Sequence, residues 1–295
     1  MPRHLVAAAL ASSLLGGCAV HVAAPASSPP TADDALGRMH ETFACANGIQ
    51  AEAKIDHFGG HGRVRADLML FAARPANLRM DVFSPFGVNL ATLTSDGQKF
   101  ALADLHDKTF YFGPATACNI ARLTSLPVPA HVLVNLLHGE APVLRHAPSG
   151  TTIAWDDHGY WVLTIAGNNE SQEEIHIAPR PDDFGKPWSQ QRVRVLDVRV
   201  VQQGYVLYHA ELSDQQPTPT AGARIDPEGI DPPIPPSGPV CDAETPRKIH
   251  MEIPNPSADV RFSYGDIKWN PPLPAGVFEQ APQPGMRQSR VDCAE

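Results

Sequence analysis

None of the five cysteines of this 295-residue chain forms a C-x-x-C pair, so a thioredoxin-like redox centre or a zinc ribbon has nothing to rest on. Catalytic signatures are missing as well. There is no G-x-S-x-G, no H-E-x-x-H, no phosphate-cradling glycine loop and no calcium-loop spacing, and the enzyme classes those motifs mark lose their support. Positive charge is scarce: 23 Lys and Arg face 32 Asp and Glu, for a net charge of −9. Nucleic acid and anionic lipid headgroups are therefore poor electrostatic partners. The apolar run LVAAALASSLL at residues 5–15 falls short of the about 20 residues that a membrane-spanning helix needs.

What that run does fit is a secretory signal, with Arg3 as its basic start. Leu15-Gly16-Gly17-Cys18 follows it and resembles a bacterial lipobox, whose cysteine becomes the lipidated first residue of the mature protein. Residues 1–17 are thus expected to be a lipoprotein signal peptide and Cys18 the lipidation site. Ala19, rather than Asp, follows the cysteine, which favours an outer-membrane destination with the lipid-anchored chain facing the periplasm. Removing residues 1–17 leaves 278 residues and, with Arg3 gone, a net charge of −10. Residues 18–32, small and rich in Pro and Ser, read as a flexible tether.

Four cysteines remain, Cys45, Cys118, Cys241 and Cys293, in a compartment where disulfides persist. Three connectivities are open; Cys45–Cys118 with Cys241–Cys293 is preferred because each bridge stays within one half of the chain.

The body alternates with period two in thirteen runs, from IQAEAKIDHF (49–58) to DVRFSYGDIKW (259–269), many joined by short turns such as SDGQ and DDHG. In RVRADLMLF, Val64, Ala66, Leu68 and Leu70 share one side, while Arg63, Arg65 and Asp67 share the other. This is the pattern of an antiparallel meander, and so many one-faced strands imply a strongly curved sheet or incomplete barrel. The fold class is therefore mainly β with a few helices. A helix near residues 33–43 is expected from Leu36, Met39 and Phe43, capped by Asp33 or Asp34. Between 115 and 139 the period turns helical: Thr116 caps one helix, Pro129 opens a second, and Gly139 stops it. Residues 213–246 hold no periodicity and many prolines, and read as an exposed insertion tied down through Cys241. The domain would span 33–280, with 281–295 a flexible tail.

Polar clusters are expected to be solvated. His57 and His61 bracket the hairpin glycines Gly59-Gly60, Asp156-Asp157-His158 sits in another turn, and Asp182-Asp183 and Glu173-Glu174 read as solvent faces. Neither a cofactor nor a metal nor catalytic residues are expected. One turn breaks the rule that tips are polar. Ser84-Pro85-Phe86-Gly87 has Pro and Gly where a type I turn wants them, yet carries Phe86 at its tip.

SPFG, a strand, the Asp96-Gly97 turn, another strand and then IARLTSLPVPAHVLVNLLHG together resemble the core of the LolB family, outer-membrane receptors that accept lipoproteins from the periplasmic carrier LolA. The family's L-x-x-x-P-x-P exit and terminal L-x-G match Leu123, Pro127, Pro129, Leu137 and Gly139. The likeness covers about residues 45–140. It implies an incomplete barrel around a greasy cavity with the helices as a lid, acyl chains and a LolA-like carrier as partners, and a membrane-contacting loop of Pro85, Phe86 and Gly87. Leu68, Leu70, Met80, Val82, Leu90, Leu93, Val162 and Ile165 would line the cavity under Leu133 and Leu137, or else pack a dry core. An acyl chain of roughly 16 carbons loses on the order of 12 kcal/mol when exposed to water, so a carrier must shelter it. The longer chain and the Pro-rich stretches depart from the family pattern and keep open a structural or adaptor lipoprotein that uses the same fold.

Overall fold

All thirteen alternating runs become strands. The computed structural model of the protein describes residues 21–59, 62–254 and 257–293, so the signal peptide, Cys18 and His61 lie outside the described residues. Helix α1 (Ala32–Phe43) leads into β1 (Gly48–Gly59), β2 (Gly62–Ala73), β3 (Asn77–Phe83), β4 (Asn89–Ser95), β5 (Lys99–Asp104) and β6 (Thr109–Pro114). Helices α2 (Ala117–Thr124) and α3 (Ala130–His138) follow. Strands β7 (His146–Asp156), β8 (Tyr160–Gly167), β9 (Ser171–Pro179), β10 (Val193–Gln202), β11 (Tyr205–Pro217), β12 (Glu244–Ile253) and β13 (Ala258–Trp269) continue the meander, and a short β14 (Arg287–Arg290) ends it. Among the described residues these form one fourteen-stranded sheet in the order β14-β6-β5-β4-β3-β2-β1-β13-β12-β11-β10-β9-β8-β7. The sheet is curved and open.

The first and the last runs of the meander, β1 and β13, pair with each other in the middle of the sheet. That closure joins two half-sheets into one face, and the register shift between Ala51 and Ala53 bends it there. Period-two alternation then puts Leu68, Leu70, Met80, Leu93, Met251 and Phe262 into a single core. α1 lies against β7 and β10, whereas α3 lies against β2, β3 and β12. Leu36, Met39 and Phe43 of α1 face that core as expected, but its cap is Thr31, whose hydroxyl accepts from the Asp34 N–H at 3.1 Å. Asp33 and Asp34 fall in the first turn instead, where negative charge meets the helix dipole. Thr116 caps α2 and Gly139 ends α3 at φ 85°, both as the sequence implies.

The disulfides are Cys45–Cys241 and Cys118–Cys293, not the within-half pairing. Chain proximity misleads here because β1 neighbours β13, so Cys45, just before β1, meets the chain that leads into β12. The region 213–246 is shorter than expected as an excursion. β11 runs on to Pro217 and β12 starts at Glu244, and Cys241 does anchor the loop between them. Asn270 fastens the same corner: its side-chain Oδ1 accepts from Asn47 N–H and Gly48 N–H, and its Nδ2 donates to the carbonyls of Cys45 and Pro239.

Two segments expected to be flexible are bound. From residue 21 onward the tether runs along the sheet edge: Val22 N–H donates to Asp157 O at 2.7 Å, and the Trp155 indole N–H donates to Val22 O at 2.9 Å. An indole N–H on an edge strand needs an acceptor, and the tether supplies it. The tail at 281–295 contains β14, which adds in parallel to β6, and Cys293 locks it to α2.

Candidate functional site

The Ser84–Gly87 turn is built to hold its tip outward. Gly87 N–H donates to Ser84 O at 2.9 Å, and Ser84 N–H donates to Val88 O at 2.8 Å. The Ser84 hydroxyl accepts from the N–H groups of Phe86 and Val88 at 3.3 and 3.2 Å. Gly87 has φ 76°, a conformation that costs a side-chain-bearing residue far more than glycine. With the backbone satisfied internally, Phe86 is 92% exposed among the described residues. Val88 and Leu90, next along the chain, are exposed as well, so the apolar surface is a short strip rather than one ring.

Directly against this turn, at Ser84 and Gly87, lies an open cavity of about 480 Å³ lined by Ala53, Leu68, Met69, Phe83 and Tyr264 and by the exposed charged side chains Glu52, Lys54 and Asp67. A second, largely charged groove of about 430 Å³ runs past Pro85 between Lys54, Asp56, Arg65, Asp67 and Arg261. The first volume lies in the range of ordinary ligand pockets. Its wall coincides with the Ala51/Ala53 register shift, where Ala53 opposes Tyr264. The Tyr264 hydroxyl donates to the Leu137 carbonyl of α3 at 3.1 Å, so one side chain belongs both to the pocket and to the hold on the lid. Burial pushes that phenol well above its ordinary range, and it stays a neutral donor.

Of the residues expected to line a cavity, only Leu68 reaches this one. Leu70, Met80, Leu93, Leu133, Leu137 and Ile165 are all fully buried in the continuous core, with Val82 half-buried at its margin. Leu90 and Val162 are corrections. Ala91 and Leu93 face inward on β4, and Trp161, Leu163 and Ile165 face inward on β8, which turns Leu90 and Val162 to the opposite face.

The lid carries its own polar clamp. Glu140, directly after Gly139, is buried and accepts from the Arg74 guanidinium and, at 2.7 Å, from the His40 ring. Arg74 also donates to Ala46 O at 2.9 Å, so the end of α3 is bound to the β2–β3 turn and to the exit of α1. His138 is buried against Trp269, with its Nδ1 2.6 Å from Val134 O. Burial pulls it down to about 4, so it is neutral and Nδ1–H is the donor.

Two acids read as solvent-facing are interior. Asp183 is buried in a bidentate pair with Arg192 that holds its carboxyl well below the usual range, and Lys186 adds a contact at 2.5 Å. Glu173 is 0% exposed. Its Oε2 accepts from Leu144 N–H at 2.8 Å, its Oε1 has no partner among the described residues, and burial pushes it up to about 8. The signal for Glu173 was in the sequence: in EEIHIA it shares the parity of Ile175 and Ile177. Nothing in the sequence singles out Asp183 or Glu140. By contrast, His57 is half-buried, and Asp157 and His158 stand exposed on their turn.

No family model and no curated protein matches the chain. Among solved structures it is similar to a DUF1329 family protein from Desulfovibrio piger, with TM-score 0.50 and 10% identity over 83% of this chain and 95% of that one. A LolA superfamily protein from Nitrosomonas europaea aligns with TM-score 0.48 and 13% identity over 85% of this chain and 98% of that one. At such identities the Desulfovibrio likeness is one of fold alone.

Proposed function

We propose that the protein is a lipid-anchored, LolB-like component of the outer membrane that receives acyl chains, such as those of lipoproteins brought by a LolA-like carrier, and passes them into the bilayer. The observation that carries this reading is the pairing of a fully presented apolar tip, Phe86, with an open cavity beneath the same turn that reaches the core at Leu68. Burying one Phe contributes roughly 1.5 to 3 kcal/mol, far less than the lipid on Cys18 would. Phe86 therefore serves contact and transfer rather than anchoring. The cavity holds the start of a chain; the rest enters as α3 lifts. Lifting α3 breaks the Tyr264 bond, worth about 1 kcal/mol, works against the Glu140 clamp and uncovers Leu133 and Leu137 at roughly 1.5 to 3 kcal/mol each, a cost that the roughly 12 kcal/mol gained by sheltering a long acyl chain has to exceed. The test is delivery of a lipidated cargo into vesicles by Phe86→Glu, whose backbone bonds are untouched. A large loss of delivery is expected, and delivery at the unaltered rate would reject the role.

A second reading, an adaptor lipoprotein that holds no lipid, is favoured by the complete burial of Leu133 and Leu137 and by the exposed Ile225, Ile230 and Val240 of the Pro-rich loop. It predicts that the purified protein carries no acyl chain and does not respond to a fatty-acid probe.

A further inference from the structure

The Phe86 turn and the docked tether that leads back to Cys18 lie at opposite edges of the sheet. From β3 to β7 the strand order takes nine steps, each between antiparallel neighbours, so β7 runs against β3. The Ser84–Gly87 turn follows the end of β3, and the turn at Asp157–Gly159 follows the end of β7. Those two ends therefore face opposite ways. Phe58, near the end of β1, and Tyr205, at the start of β11, are exposed at the same edge as Phe86. The seven residues of β3 span about 23 Å, and the eleven of β7 about 36 Å.

Specific contacts fix the tether at the far edge. Besides the two Val22 bonds to Asp157 and Trp155, the His21 ring meets the Asp157 carboxylate. Trp188 N–H donates to the Ser27 hydroxyl at 2.9 Å, and Gln191 Nε2 donates to Ser27 O at 3.3 Å. Pro25, between these points, is buried. Trp188 and Gln191 belong to the connection from β9 to β10, which shares its edge with the β7–β8 turn.

We propose that the docked tether is a latch: while residues 21–28 are bound, a lipid on Cys18 holds the Phe86 edge away from the bilayer, and release of the tether lets Phe86 reach it. The latch rests on the lipid anchor of the proposed function. Three residue steps separate Cys18 from His21, at most about 11 Å of chain, which is about half the length of β3. Lying on its side would press the charged outer face, with Asp197, Glu211, Glu252 and Asp259, onto the bilayer, so tilting does not replace release. Once released, the chain is first held at Asp33, whose carboxylate accepts from the Thr151 hydroxyl at 3.2 Å and lies 3.5 Å from His146 Nε2. Both residues lie up β7 from Asp156, toward the Phe86 edge. Fourteen residue steps then separate Cys18 from Ala32, up to about 46 Å of chain, which exceeds the length of β7.

The test uses the lipidated full chain in vesicles of neutral phosphatidylcholine whose acyl chains carry bromine, a contact quencher of tryptophan. Phe86→Trp keeps an aromatic tip and reports its position, and each chain is compared with its own Phe86 counterpart to subtract the four native tryptophans. Exchange of the Val22 amide, bonded to Asp157 O, reports docking in the same samples. With the native tether that amide should exchange slowly and the tip should be unquenched. Ser27→Ala with Trp155→Phe removes two of the tether's bonds, and should speed Val22 exchange at least 10-fold and lower tip emission at least twofold. Val22→Pro, which cuts the bond to Asp157 from the tether side, should quench the tip likewise. A tip quenched while Val22 still exchanges slowly, fast exchange in the native tether, or a released tether with the tip unquenched would each overturn the latch. A chain that does not float with the vesicles would refute the anchor on which the latch rests, a failure read separately from the others.

Discussion

Glu173 makes stability depend on pH in a way one substitution isolates. Its carboxyl ionises near 4.5 in the unfolded chain and about 8 in the folded one, because it lies among Ile165, Ile175 and Val200 with a single donor, Leu144 N–H. The native state holds the proton more tightly than the unfolded state, so this group's contribution is fully present below pH 4.5 and is lost as pH rises to 8. At about 1.4 kcal/mol per pH unit between those values, the loss is roughly 3 kcal/mol by pH 7 and about 5 kcal/mol above pH 8. Glu173→Gln keeps an acceptor for Leu144 and removes the titration. Urea unfolding followed by tryptophan fluorescence at pH 5, 7 and 9 should show variant and parent within about 1 kcal/mol at pH 5. The variant should then lead by roughly 3 and 5 kcal/mol at the two higher values. Other titrating groups cancel in the difference. A gap that does not change with pH would refute the reasoning, because it would mean that Glu173 is solvated or paired.

Three further outcomes follow from named contacts. Asn270→Ala leaves two N–H donors and two carbonyls without their partner, and should cost on the order of 4 kcal/mol in denaturant unfolding. Cys118→Ser with Cys293→Ser opens a crosslink spanning 175 residues and should lower stability by up to about 5 kcal/mol. Amide exchange should then quicken in β14 and in its partner β6. Tyr264→Phe removes the hydroxyl that holds Leu137 O, worth about 1 kcal/mol, and should speed uptake of a fatty-acid probe about fivefold in stopped flow; unchanged uptake would separate that bond from lid opening.

Period-two alternation made the fold readable, because each strand buries one face and a one-residue error would expose the whole set. The helical pair was equally plain in Thr116, Pro129 and Gly139. The same rule, applied strictly, separates Val162 from Ile165 and Glu173 from Glu174, since residues of opposite parity cannot share a face. Closure of β1 on β13 was not legible: it joins segments some 200 residues apart, and the disulfide partners depend on it. Nor was the fate of the tether and the tail. Their Pro- and Ser-rich composition says nothing of the Trp155 indole or the β6 edge that bind them. At the candidate site, the exposure of Phe86 was visible as an apolar residue at a turn tip. The cavity beside it was not, because its walls come from β1, β2, β3 and β13, strands brought together by the β1–β13 pairing and not by any local motif.

The central claim is that the chain shelters an acyl chain beneath the Phe86 turn. The direct measurement is native mass spectrometry of the full chain with Cys18→Ala, purified from cells and titrated with a fluorescent fatty acid. The account predicts a bound acyl mass, probe displacement by long-chain lipids, and loss of both in Leu68→Trp, which fills the cavity wall while leaving the turn intact. A folded protein that carries no lipid and ignores the probe would contradict it.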